Sequence, residues 1–104
     1  MKYKIVVYVP KENADAVREA IAEAGGGKQG KYTNCSFSSK GIGRFKPKIG
    51  ARPYIGKVGK LEAVEEERIE VTCDADIVGT VANAIKKVHP YEEVGMDIFE
   101  LVSL

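Results

Sequence analysis

The sequence is poor in the residues that most often carry chemistry, holding one histidine, His89, and two cysteines, Cys35 and Cys73. A single histidine supplies too few nitrogen ligands for a usual catalytic zinc site. The cysteines fit no zinc spacing and no C-x-x-C redox motif. In a reducing compartment they read as buried thiols acting as small hydrophobes, with a disulfide or a reactive thiol as the other reading. Neither G-x-S-x-G nor H-E-x-x-H occurs. Long apolar runs are missing as well, and no stretch approaches the roughly 20 residues needed to span a bilayer. Met1-Lys2-Tyr3-Lys4-Ile5 runs straight into a strand-like pattern instead of a signal region. A cytoplasmic protein without a membrane partner is expected.

What is present is ordinary in amount and uneven in placement. At 104 residues, 30% charged and 44% hydrophobic, the chain has the length of a single domain, 1–104, with one core. Net charge is only +1, from sixteen bases and fifteen acids. Seven of the bases (Lys40, Arg44, Lys46, Lys48, Arg52, Lys57, Lys60) fall between residues 40 and 60, where there is no acid. The rest of the chain therefore carries −6. Such asymmetry bears on partners and field, not on fold.

Residues 3–9 alternate and are β-branched or aromatic, a strand closed by Pro10. Over 13–24, Ala14, Val17, Ile21 and Ala24 recur at helical spacing. Gly25-Gly26-Gly27 stops that helix, since glycine takes the left-handed conformation common at helix C-termini. A second strand is expected over 32–39, then a long glycine-rich loop from Gly41 to Lys60. A third strand spans 63–73. A second helix carries Ile77, Val78, Val81, Ala84, Ile85 and Val88, capped by Asp74 or Asp76 and ended by Pro90. The last strand is 96–102.

The order β-α-β-β-α-β is the ferredoxin-like motif, an α+β sandwich with both helices on one face of an antiparallel sheet. The other face should then be polar in a monomer. Val6 and Tyr8 of the first strand and Phe99 and Leu101 of the last fall on it instead. Burying an apolar side chain of this size is worth about 1.5–3 kcal/mol, and a contiguous apolar patch marks an interface. An oligomer is expected.

Three strings invite chemical readings. Gly25 to Lys31 matches G-x-x-x-x-G-K, but Tyr32 replaces the magnesium-binding Ser or Thr, and the glycines follow a helix instead of opening one. The basic segment 40–60, with Arg44, Lys46, Lys48 and Arg52, suits phosphates or carboxylates. The plainer alternative is pairing with Glu62, Glu65, Glu66, Glu67 and Glu70, within the chain or across subunits. Phe45 and Tyr54 offer stacking, yet no RNA-binding signature accompanies them, and nucleic acid is not expected as a partner. His89-Pro90-Tyr91-Glu92-Glu93 places a histidine beside two carboxylates, a metal site or acid–base pair in one reading. In the other it is a helix-end turn.

Taken together these strings resemble a known family. Tyr8-Val9-Pro10, Gly30-Lys31-Tyr32, Cys35-Ser36-Phe37, Gly41-Ile42-Gly43-Arg44-Phe45-Lys46-Pro47, Glu67-Arg68-Ile69-Glu70 and His89-Pro90-Tyr91-Glu92-Glu93 are similar to the PII/CutA-like insert domain of the NGG-interacting-factor family. Longer members are labelled GTP cyclohydrolase type homologues. The resemblance implies a stand-alone relative built like the trimeric PII and CutA proteins, which place ligands or partner-binding loops at subunit clefts. In the long members the metal ligands belong to flanking halves with no counterpart here, so neither cofactor nor metal is implied. The expected function is a homotrimeric regulatory or binding module, not an enzyme. It would take a small anionic ligand or a protein partner through Arg44, Lys46, Lys48, Arg52, Arg68, His89, Tyr91, Glu92 and Glu93. A metal-binding protein or small hydrolase using His89 and its carboxylates is the first alternative, and a purely structural assembly domain the second.

Overall fold

The computed structural model describes all 104 residues. Strand β1 (Lys2–Pro10) passes through a 3-10 turn (Lys11–Asn13) into helix α1 (Ala14–Glu23). Strands β2 (Phe37–Phe45) and β3 (Glu62–Asp74) follow, then helix α2 (Val78–Val88) and strand β4 (Met96–Leu101). The sheet order is β2-β3-β1-β4, with every neighbouring pair antiparallel. This is the ferredoxin-like order that the sequence pattern indicates.

Residues directly opposite one another in an antiparallel pair share a face. Ile5 lies between Val71 and Ile98, and Val7 between Ile69 and Met96. On that face Ile5, Val7, Val9, Ile69 and Val71 are buried against Val17 and Ile21 of α1 and Val81 and Ile85 of α2. Period-two alternation in the strands and the i, i+4 spacing in each helix thus converge on one apolar layer.

Helix α1 ends in a Schellman motif. Gly25 has φ +99°, its N–H donates to the Ala22 carbonyl, and the Gly26 N–H donates to that of Ile21. The glycine run is therefore the helix stop that its position suggests. Helix α2 begins differently from expectation. Its N-cap is Ile77, with no side-chain cap bond. The Asp74 carboxylate accepts from Lys2 Nζ at 2.8 Å, which removes it from the helix.

Strand β2 is the main correction to the sequence reading. It was expected over 32–39 but runs from Phe37 to Phe45 and absorbs Gly41, Gly43 and Arg44 from the expected loop. Glycine disfavours strands by propensity, but here Gly43 answers a packing demand. A Cβ at that position would overlap the Glu66 carboxylate on β3. The connecting loop is accordingly residues 46–61.

The second face of the sheet also differs from expectation. Val6 is 1% exposed and Tyr8 half-buried within the single chain, so neither calls for a partner. The exposed apolar residues on that face are Phe37, at 67%, and Phe99, at 50%. At one end β3 outruns β1, which pairs with it only from Glu66 to Asp74. Residues 62–65 are partnered by β2 alone.

Candidate functional site

The open face of the sheet and the 46–61 loop enclose a groove of about 930 Å³. Its floor comes from β2 and β3. On β3, Glu66 and Arg68 are two residues apart and so point to one face, with Gly41 and Ser39 opposite them on β2. Tyr8 of β1 sits across from Arg68. The loop forms one wall, and the segment Tyr91–Glu92–Glu93 after α2 forms the other.

Of the nine residues singled out from sequence, Arg44, Lys46, Lys48, Arg68, Tyr91, Glu92 and Glu93 line this groove. Arg52 joins it through its backbone, the N–H donating to Glu92 Oε2 at 2.8 Å. That bond ties the basic loop to the segment following α2.

His89 is placed differently, 7% exposed and outside the lining. The Tyr91 N–H donates to its Nδ1 at 3.1 Å, and its Nε2 lies 2.7 Å from the Tyr8 carbonyl. A backbone N–H only donates and a carbonyl only accepts, which fixes the tautomer with hydrogen on Nε2. Both ring nitrogens are thereby engaged in holding the turn to β1. No three His, Cys, Asp or Glu side chains converge on a common point. Cys35 borders a separate groove beside α1, with Asp15 and Arg18. The donor set therefore does not fit a metal centre of the kind the first alternative requires.

Tyr91 is the hub of the wall. Its ring meets Phe45 edge-on at 5.8 Å and lies tilted to Tyr54 at 6.4 Å and to His89 at 5.1 Å. Its hydroxyl donates to Glu66 Oε2 at 2.8 Å. Burial, reinforced by the neighbouring Glu66 carboxylate, pushes the Tyr91 phenol well above its ordinary pKa. It stays a hydrogen-bond donor.

The basic segment is free of ion pairs. The cations paired with carboxylates are Lys2, Lys4, Lys11, Arg18 and Arg68, all outside residues 40–60. Within the chain, the acidic stretch of β3 is served by others: Lys11 for Glu65, Arg18 for Glu67, and Lys4 with Arg68 for Glu70. The groove thus gathers cations that make no close ion pair, together with the carboxylates of Glu66, Glu92 and Glu93, around an aromatic wall.

Glu66 is the groove residue that sequence reasoning passed over as a functional group, since it stood in an acidic run. It is 8% exposed, against Gly43 and Tyr91. No local signal marks it, because its burial depends on strand register and on a tyrosine 25 residues away.

No protein-family model matches the chain. The GTP cyclohydrolase 1 type 2 homolog of Bacillus subtilis is 52% identical over 96 residues, which cover 92% of this chain and 26% of that protein. Among solved structures, a Bacillus cereus protein related to NIF3 superposes with a TM-score of 0.85 at 42% identity, over 98% of this chain and 26% of that one. The periplasmic divalent cation tolerance protein CutA of Archaeoglobus fulgidus gives 0.68 at 19% identity, over 97% of this chain and 84% of its own. GlnK of Bacillus subtilis gives 0.63 at 16%, over 96% and 84%. The last two likenesses establish the fold. The chain spans about a quarter of the length of the curated relatives it matches. It is a relative of the NIF3-related proteins named GTP cyclohydrolase 1 type 2 homolog, and it carries the α+β fold of CutA and GlnK.

Proposed function

We propose that this chain is a regulatory or binding module that works as an oligomer and receives a small anionic ligand in the groove under the 46–61 loop. The observation that carries the reading is the set of seven cations between residues 40 and 60, none paired within the chain, four of which (Lys40, Arg44, Lys46 and Lys48) line the groove. Left without close ion pairs beside low-dielectric walls, such charges concentrate anions. Guanidinium and ammonium groups hold phosphate or carboxylate through charge-assisted hydrogen bonds. Exposed Phe37 and Phe99 on the open face favour association between copies, and a trimer is the form that the fold suggests. No helix is long and apolar enough to cross a membrane, and we place the chain in the cytoplasm.

Light scattering tests the assembly, with a species larger than the 11.3 kDa chain expected. A monomer at micromolar concentration refutes it. A thermal-shift series with phosphate and carboxylate compounds tests the groove, because a ligand of the native state raises the melting temperature. Loss of any shift in Arg44→Gln/Lys46→Gln is expected. A shift that survives those substitutions removes the groove from the reading.

A further inference from the structure

Glu66 is a charged carboxyl in an enclosed position without a cation. It is 8% exposed and has one side-chain hydrogen-bond partner, the Tyr91 hydroxyl on Oε2. A carboxylate removed from water is costly unless paired, and cations are close by. Arg68 stands two residues away on the same face of β3 and also lines the groove. It leans toward Glu70, with Nε 3.6 Å from Oε2. Arg44, Lys46 and Lys48 line the same groove without engaging Glu66. The backbone has been cleared for this carboxylate too, since Gly43 is the residue whose missing side chain leaves room for it.

We propose that Glu66 is the recognition group of the groove and takes an ammonium or other N–H donor of the ligand, while Arg68 and the loop cations take an anionic group on the same molecule. This deepens the reading of the groove as an anion site and rests on it. The ligand class narrows from any small anion to a small zwitterion. Glu66 and Arg68 are about 7 Å apart along the strand, so the two charges of the ligand are separated by a comparable span. Tyr91 acts as a positioning residue. Its hydroxyl occupies one carboxylate oxygen and leaves the other for the ligand.

A merely structural Glu66 would need only to accept from Tyr91, a role glutamine fills equally well with its amide oxygen. The test therefore compares wild type with Glu66→Gln in the full chain, using calorimetric titration with 3-aminopropyl phosphate and with propyl phosphate. The wild type is expected to bind the amine-bearing phosphate at least about tenfold more tightly, the scale of a hydrogen bond to a charged group. Glu66→Gln is expected to erase that preference while leaving propyl phosphate binding and the melting temperature in place. Arg68→Met should weaken both probes. Equal binding of the two phosphates by the wild type, or an unchanged preference in Glu66→Gln, overturns the assignment and leaves the anion site standing. Failure of both phosphates to bind at millimolar concentration overturns the assignment and the anion site together.

Discussion

The acidic body and the basic loop handle charge in opposite ways. In the body, five of the nine cations are committed: Lys2 to Asp74, Lys4 and Arg68 to Glu70, Lys11 to Glu65, and Arg18 to both Asp15 and Glu67. Lys2 and Lys4 join β1 to β3, Lys11 joins the 3-10 turn to β3, and Arg18 joins α1 to β3, while the Arg18–Asp15 and Arg68–Glu70 links stay within one element. In the loop and the end of β2, seven cations remain uncommitted. Exposed pairs contribute only about 0–1 kcal/mol each, so leaving the loop unpaired costs the fold little. It preserves a field that an outside anion can neutralise. One region spends its charges on orientation and the other keeps them for recognition.

The contrast can be broken first at the layer beneath the body. Ile69→Ala removes a fully buried side chain from the cluster between sheet and helices and is expected to lower stability by about 2–5 kcal/mol in urea unfolding. A loss below 1 kcal/mol would contradict the buried layer. Next, Gly43→Ala is expected to lower stability by about 1 kcal/mol, because its methyl group displaces the Glu66 carboxylate from the Tyr91 hydroxyl. Gly41→Ala meets open space and should stay within about 0.5 kcal/mol of wild type. Equal effects at the two glycines would mean that Glu66 is not packed against β2.

The charge contrast itself is sharpened by a third pair of variants. Arg18→Met breaks the bonds to Ser38, Glu67 and Asp15 and should cost about 1 kcal/mol. Lys48→Gln in the loop should change stability by less than about 0.5 kcal/mol. The smallest effect is in pH. Lys2 holds the Asp74 carboxyl, and Lys11 that of Glu65, below their ordinary values of 3.8 and 4.5. Stability from these pairs is present above the unfolded-state values and is lost as pH falls through the lowered ones. Urea midpoints measured from pH 6 down to about 3 should fall less steeply in Lys2→Met and Lys11→Met than in wild type. An identical acid slope would show that the pairs do not form.

Most of the fold was legible because its signals are local. Alternating Ile5, Val7 and Val9 mark a half-buried strand, and Gly25 marks the helix end, within a few residues each. Strand β2 was misplaced because Gly41 and Gly43 punctuate by propensity, whereas Gly43 lies against a carboxylate 23 residues further along. The helix cap failed for a similar reason, as Lys2, distant in sequence, draws Asp74 away. In the site, the cations announce themselves by density and the His89–Glu93 segment by composition. The burial of Glu66 and the engagement of both His89 nitrogens arise only from register and tertiary approach. Position alone cannot reveal them.

The overhang of β3 has a consequence for how copies of this chain meet. Residues 62–65 keep one flank of hydrogen-bonding groups unused, the kind of border on which stray strands add and fibrils grow. Two of those four residues, Glu62 and Glu65, are glutamates, and they put a negative charge on each face of that border. Charge on an open strand border is one of the devices that disfavour indiscriminate strand addition.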